Sequence, residues 1–528
     1  MFVDIMRRKI FMLSVTIYLF LFSCIHFKEH PLDPTTLRGY FLSSFLRNNS
    51  IEQDNNSIYQ DNKSIYQEAK GILDDSFGNG RGYVTLNITN DNDQGQSLVI
   101  QPDGKILFGG YCQGVSNNDF CIARFNFDGT LDTSFDTDGK VIQDIASYSD
   151  LGQSLAIQPD GKILLSGRCY SGSNTDFCIA RFNSNGTLDT TFGSPNGYKI
   201  QPIGSSNDYG YSSAIQPDGK ILFGGHCKNG SYWDFCIARF NSNGTLDTTF
   251  GSPNGYIIQD IGSSDDIGLS LAIQPDGKIL LGGRCQGVSN NDFCIARFNS
   301  DGTLDTSFGS PNGYIIQPIG SSDDIGQSLA IQPDGKILLG GYCYNGNNYD
   351  FCIARFNSDG TLDTSFGTNG KVIQDIGSLT DIGKPLVIQR DGKILLGGYC
   401  QGESNFDFCI ARFEINGTLD TSFGTSGRVI QPIGSFDDHK QSLAILPDGK
   451  ILLGGHCESV SSWDLCIARF NSDGTLDTSF GSSGKVIQPI GSSNDYGFSL
   501  AIQPDGKILL GGSCQGVSNF DFCIARFK

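Results

Sequence analysis

Sixteen of the seventeen cysteines fall into eight pairs of one spacing, and no other residues in the chain are as plainly arranged for chemistry. The pairs are Cys112/Cys121, Cys169/Cys178, Cys227/Cys236, Cys285/Cys294, Cys343/Cys352, Cys400/Cys409, Cys457/Cys466 and Cys514/Cys523. Paired sulfurs can bridge, stay as buried thiols or hold a soft metal. A structural zinc site needs four ligands, and each C-x8-C unit offers two with no accompanying His set. His226 and His456 adjoin a Cys, but the same position is Tyr, Arg or Ser in other copies. An even count at equal spacing points to eight disulfides, with free thiols and metal as the competing readings. In the first copy Cys112 shares a strand face with Phe108 and Gly110, and Cys121 with Ala123 and Phe125, so both can point the same way across a hairpin. Closing a ring of about ten residues is worth ~2–3 kcal/mol on the chain-entropy account.

Acid–base or nucleophilic chemistry finds less support. The chain has five His, two of them ahead of the repeats, and shows no lone Ser/His/Asp set or paired carboxylate in an apolar loop. The expectation is no enzyme, no cofactor and no metal. Asn126-Phe127-Asp128-Gly129-Thr130-Leu131-Asp132 alternates its acids as a calcium loop does, but its second acid becomes Asn185, Asn243 and Asn416 elsewhere, and Glu414 replaces the first Asn. An Asx-type turn with Gly at positive φ explains the pattern better. Arg124, Asp132 and Lys105 recur in every copy, so they read as scaffold groups, for example a buried Arg–Asp pair. Ser264-Asp265-Asp266-Ile267-Gly268-Leu269-Ser270 is similar to the Asp-box of sialidases, itself a structural turn; four of eight copies fit it.

The stretch between the paired cysteines varies most from copy to copy. Its last position is aromatic in five copies: Trp233, Tyr349, Phe406, Trp463 and Phe520. Rigid loops with varied aromatic tips suit ligand contact, to a protein or a glycan. Packing against the neighbouring unit, or capping the sulfur bridge, is the other reading.

These residues are positioned by a repeat. The Gly of Asp-Gly-Lys-Ile falls at 104, 161, 219, 277, 335, 392, 449 and 506, in steps of 57 or 58. In the second full copy Lys140–Ile145, Ser154–Gln158, Lys162–Cys169 and Phe177–Phe182 read as strands, with Pro159-Asp160-Gly161 as a hairpin turn. Both faces of these strands are apolar or small, as in sheets covered on both sides. Four short strands repeated eight times predict an all-β, eight-bladed propeller of four-stranded antiparallel blades over residues 71–528. Lys140–Ile145 and its equivalents are read as the innermost strand, where an edge tolerates Pro202, Pro318, Pro432 and Pro489. On that reading the linker from Phe182 to Lys199 is the return between blades, and each cysteine pair staples the third and fourth strands of its blade. The alternative phase has an N-terminal strand closing the last blade. Gly is 68 of 528 residues, which fits many turns. The net charge of −19 makes nucleic acid a poor partner, and a closed ring is expected to be a monomer.

The N-terminus reads as a targeting segment. Arg7, Arg8 and Lys9 precede a 13-residue apolar run, Ile10 to Phe22, too short to span a bilayer comfortably. Asp4 lies upstream, so the true start is Met1 or Met6. Leu21-Phe22-Ser23-Cys24 resembles the lipobox of bacterial lipoproteins, in its relaxed spirochaetal form, since Phe22 departs from the strict pattern. That resemblance implies cleavage after residue 23 and lipidation of Cys24; an ordinary cleaved signal or a retained anchor helix are the alternatives. Residues 1–24 are thus a signal peptide, and 25–70, with its NNSIEQD, NNSIYQD and NKSIYQE repeats, a polar tether.

The stretches SLAIQPDGKILLGG, DFCIARFNSDGTLDTSFG and GKVIQDIG resemble the delta-60 repeat family over roughly residues 71–528. The resemblance implies a β-propeller and no particular activity. Export, anchoring and varied loops together predict a membrane-anchored, non-enzymatic binding or interaction scaffold, at the outer membrane or cell surface rather than the inner membrane. A structural envelope protein without soluble ligand is the alternative, and a propeller glycosidase or lyase a third.

Overall fold

A computed structural model describes residues 70–528, apart from 115, 403–404 and 460–461 and the side chains of 440–441. Cys24, the signal segment and the tether lie outside the described residues. The described chain forms thirty-two strands, numbered in chain order, in eight four-stranded antiparallel sheets. The first blade holds β2 (Asp93–Ile100), β3 (Ile106–Gln113), β4 (Asn118–Phe125) and β5 (Lys140–Gln143), hydrogen-bonded in that order. The next begins at β6 (Asp150–Ile157). First strands pack against first strands around the ring, so β2 and its equivalents are innermost and β5 and its equivalents outermost.

The blade phase corrects the expectation from sequence. Lys140–Gln143 is the outer strand of the blade it follows, not the inner strand of the next. Pro202, Pro318, Pro432 and Pro489 stand just after their outer strands rather than inside an inner one. The long Phe182–Lys199 connection stays within one blade and returns its chain to the outer edge. The physical reason lies in that connection: Leu188 bridges back to Phe182 and the Asp189 amide donates to the Arg181 carbonyl, which folds it onto the third strand.

Closure follows the alternative phase. The last blade is β30 (Asp495–Ile502), β31 (Ile508–Gln515) and β32 (Phe520–Phe527), completed by β1 (Tyr83–Leu86) from the other end of the chain. The seam is longer than a strand. Lys70 to Gly82 replaces the whole connection that the eighth copy lacks: Leu73 bridges Phe527, Ile72 and Lys528 exchange backbone hydrogen bonds, and the Gly481 amide donates to the Lys70 carbonyl.

The core is the set of gaps between blades. One cluster joins Leu107, Phe120 and Ile122 of the first blade to Leu155, Ile163 and Leu165 of the second. Another joins Phe108 and Phe125 to Leu509, Phe522 and Ile524 across the seam. Apolar side chains on both strand faces therefore serve two neighbours, which is why the strands lack alternation.

All eight cysteine pairs are disulfides, with Cα–Cα separations of 5.7 to 5.9 Å. The strands they join differ from the expectation, because the blade phase differs. Each bridge staples the second strand to the third, not the third to the fourth. Cys112, Cys169, Cys227, Cys285, Cys343, Cys400, Cys457 and Cys514 lie on second strands. Their partners Cys121, Cys178, Cys236, Cys294, Cys352, Cys409, Cys466 and Cys523 lie on third strands, each also paired with an outer strand that carries no sulfur. The bridge runs diagonally: Cys112 lies opposite Asp119, and Cys121 opposite Gly110. The same register places Cys236 opposite Gly225, Cys294 opposite Gly283, Cys409 opposite Gly398, Cys466 opposite Gly455 and Cys523 opposite Gly512. The sulfurs are buried in the blade interfaces, as Cys169 and Cys178 are beside Leu107 and Phe120.

Candidate functional site

The ring has two ends of different character. At one end lie the Asp-Gly-Lys turns and the connections to the outer strands. Here Arg124 Nε and Lys105 Nζ both reach Asp132 Oδ2, at 2.7 and 2.8 Å. Burial alone would raise the pKa of Asp132, but hydrogen bonds from Lys105 and Ser134 and the charge of Arg124 hold it well below the usual carboxylate range. The Arg124 guanidinium also covers the Phe135 ring at 4.5 Å and donates to the Ser184 carbonyl of the next blade. Gly186 of that next blade sits on Phe135 (φ +95°; a Cβ would lie 2.9 Å from the ring). The recurring Arg, Asp and Lys are thus an interblade clamp, as the buried pair expected from sequence. Arg526, Lys507 and Asp74 build the eighth copy across the seam.

The loop that alternates its acids as a calcium loop does belongs to this clamp. Asp128 accepts from the Thr130 amide and hydroxyl, at 2.9 and 2.6 Å, and Gly129 has φ +80°. It is an Asx-type turn whose carboxylates are already engaged.

The other end carries the hairpin loops and the turns that enter the inner strands. Tyr349, Phe406, Trp463 and Phe520 each open a third strand, Trp233 is the second residue of one, and all five are half-buried. They meet other variable residues. Trp233 stacks on Tyr209 at 5.0 Å and meets His226 edge-on at 5.1 Å. Tyr349 packs on Tyr342, Phe406 on Tyr399, Trp463 on His456, and Phe520 on Tyr496. The result is an apolar belt through the third to eighth blades, aromatic except at the fourth, where Ile267 and Leu269 fill the place. His439 and His456 lie in it with rings 5.8 Å apart. Burial, then the Lys384 charge, lowers the His439 pKa to about 4; burial, then His439, lowers His456 to about 3. Both are neutral aromatic surfaces near pH 7.

The exposed large apolar side chains of this end stand elsewhere, within the hairpin loops or at their junction with the third strand, and in the turns before the inner strands. They include Tyr232, Val288 and Val517 in the first group and Tyr148, Leu379 and Phe436 in the second. Sequence reasoning placed the tips at the last loop position and missed these. That position belongs to the strand, where the pleat directs the side chain toward a neighbour.

Sequence reasoning also passed over a ring of eight acids. Asp93, Asp150, Asp208, Asp266, Asp324, Asp381, Asp438 and Asp495 each open an inner strand and are fully buried. Asp266, the acid of the Asp-box stretch, accepts from the Ile261 and Gly262 amides at 2.7 and 2.9 Å. Burial outweighs these bonds and raises Asp150, Asp208, Asp381 and Asp438 to about 7, and the other four to about 6. Their recurrence in all eight copies was the available signal.

The comparisons bear on the fold. The family described as "Domain of unknown function (DUF5122) beta-propeller" matches eight segments: 101–135, 158–192, 216–250, 274–308, 332–366, 389–423, 446–480 and 503–528. Together they make up a little over half of the chain. The chain belongs to this family. Each segment of this DUF5122 beta-propeller runs from the Asp-Gly-Lys turn through the disulfide hairpin, and all but the last, where the chain ends, continue through the clamp. No curated protein matches. Among solved structures, Sqt1 from Chaetomium thermophilum is similar at 12% identity, over 83% of this chain and 97% of that one, with a TM-score of 0.46. A catalytically inactive virginiamycin B lyase from Staphylococcus aureus with quinupristin matches at 11%, over 84% and 98%, with a TM-score of 0.39. The beta-propeller domain of the Trilobed protease from Pyrococcus furiosus matches at 10%, over 72% and 94%, with a TM-score of 0.37. Likeness this distant leaves substrate and partner to the chain's own residues. Among the described residues no helix is long and apolar enough to cross a membrane.

Proposed function

We propose that this DUF5122 beta-propeller, of the delta-60 repeat kind, is a non-enzymatic binding scaffold, exported and held at a bacterial membrane by lipid on Cys24. One observation carries the reading. The copies differ chiefly at the loop end, and there the differences expose large apolar groups, among them Tyr232, Val288, Phe436 and Val517. Exposed apolar side chains, more numerous at this end of the ring than at the turn end, where Phe127 and Ile415 are exposed, suit a protein or glycan partner. The eight buried disulfides fit the oxidising conditions of export.

The test has two arms. Cells fed labelled palmitate should label the wild-type chain and not Cys24→Ala, and protease added to intact cells should cleave the body if it faces outward. Purified protein should then be screened on arrays of immobilised extracellular proteins and glycans, with Tyr232→Ser/Val288→Ser/Val517→Ser as the variant. Loss of the captured signal with an unchanged melting temperature supports the reading. Equal capture by both proteins would sink it.

A structural envelope role is favoured by a different observation. Ile142, Ile373, Ile430 and Ile487 are exposed on outer edge strands, where copies could pack side by side. That role predicts concentration-dependent self-association in sedimentation.

A further inference from the structure

We propose that the junction between the first and second blades is a site for a hard divalent cation of the calcium class, held by Asp119, Asp144 and Asp150. The three come from separate places: the third strand of the first blade, the residue after its outer strand, and the start of the next inner strand. One carboxylate oxygen of each lies within 4.8 Å of the other two. A point equidistant from oxygens so spaced is about 2.8 Å from each, so a small contraction gives calcium–oxygen distances. The donors are all carboxylate oxygens, which suits calcium or magnesium and not a softer metal. Asp144 is exposed, which leaves an entry path and room for waters to complete the shell.

A second observation separates this cluster from an ordinary acidic patch. Asp119 Oδ1 and Asp150 Oδ1 are buried and have no hydrogen-bond partner, in residues only 7% and 0% exposed. Asp150 accepts the Ile145 and Ala146 amides through Oδ2, which leaves Oδ1 open. At the equivalent Asp266 and Asp381 a glycine amide takes Oδ1 as well. Buried carboxylate oxygens without donors are costly unless a proton or a cation meets them.

Sister junctions show a cation in this neighbourhood. Where Pro318 and Pro432 replace Asp144, Lys371 and Lys485 of the following blade donate to their carbonyls, at 2.7 and 3.0 Å. These ammonium groups offset part of the burial cost at the nearby acids, Asp292 and Asp324 in one case and Asp407 and Asp438 in the other. At the first junction Tyr198 stands in the place of Lys371, and the charges acting on Asp119 and Asp150 are those of the cluster itself. Here an extra carboxylate stands where the protein's own cation is missing. The two similar acid groups are better supplied from within. Asp350/Asp375/Asp381 has Arg428 on the Asp375 carbonyl at 2.6 Å. In Asp234/Asp260/Asp266, Asn229 donates to Asp234 at 2.9 Å and the Gly262 amide reaches both oxygens of Asp266.

The test is calcium titration of the full chain, stripped with EDTA at pH 7.5, by calorimetry and thermal melting. Asp144→Pro is the informative variant, because Pro stands there in four other blades and the fold tolerates it; Asp144→Asn provides the isosteric check. Wild type should bind one more equivalent of calcium than either variant and gain more in melting temperature on calcium addition. Identical isotherms for wild type and both variants, or no calcium binding by wild type, would overturn the proposal. Wild type without binding would mean that the acids share protons instead.

Discussion

The two ends of the ring solve the same problem of joining blade to blade by opposite means. The turn end repeats one solution eight times: Arg on Phe, Asp between Arg and Lys, Gly on the neighbouring Phe. The loop end uses a different set of aromatic, His, Lys and apolar contacts at each junction, over a ring of buried acids that is charged only at cost. Uniformity is therefore the mark of load, and variation marks surface that the fold can spare. An ion pair with both partners buried tolerates no single substitution, whereas a half-buried aromatic among other aromatics can be exchanged.

The largest expected effect comes from breaking the clamp. Asp477→Ala leaves Arg469, which is 1% exposed, without its carboxylate, and should cost about 3–5 kcal/mol in denaturant unfolding. Asp74→Ala should cost a similar amount, although residue 74 is some 450 positions from its partner Arg526. A cost below about 1 kcal/mol at either site would remove the distinction between the two ends.

A smaller effect is expected from opening one bridge. Cys343→Ser with Cys352→Ser should lower stability by ~2–3 kcal/mol, since the ring is short. Denaturant midpoints in oxidising and reducing buffer check it: the wild type should shift on reduction by more than one bridge's worth.

Next comes the dependence on pH. The inner-strand acids have folded pKa values of about 6 to 7, above the unfolded value, so the native state binds more protons in that interval. Their contribution to stability is greatest below pH 4 and is lost as pH rises through about 7. In EDTA, Asp150→Asn should flatten the fall between pH 5 and 8. Its side-chain oxygen can keep both amide bonds, and its NH2 can face Asp119. A slope unchanged by the substitution would show that Asp150 does not titrate there.

The smallest effect on stability is expected at the exposed tips. Tyr232→Ser should change unfolding free energy by no more than about 0.5 kcal/mol, while Trp233→Ser beside it should cost more, because Trp233 lies between Tyr209 and His226. Equal costs would mean that the belt contributes no packing.

Strand count, blade count and sulfur pairing were legible because each recurs with its spacing intact, and a repeat can bury two-faced strands only against its copies. The phase was not legible, and with it went the identity of the strands that each bridge joins. A short strand such as Lys140–Gln143 can complete the blade before it or open the blade after it, and the sequence of the repeat is the same either way. What decides is the return of Leu131 and Asp132 onto Phe125 and Arg124, a packing contact with no local signature. The aromatic positions were legible as variable but not as half-buried, since one residue along a strand turns a tip into a packing group. Asp119, Asp144 and Asp150 were invisible as a set because they sit in three motifs of two blades.

The seam has a mechanical consequence. Ile72 is hydrogen-bonded to Lys528, so the two ends of the ring-forming chain meet at one point. Any pull delivered through the residues before Lys70 arrives there first, on the Lys70 carbonyl, then on the Ile72–Lys528 pair and then on the Asp74–Arg526 bond. A propeller held by its leading end would thus carry tension on the joint that keeps it closed, and peeling the chain from Lys70 through Leu86 would strip the outer strand from the eighth blade before any other strand was strained.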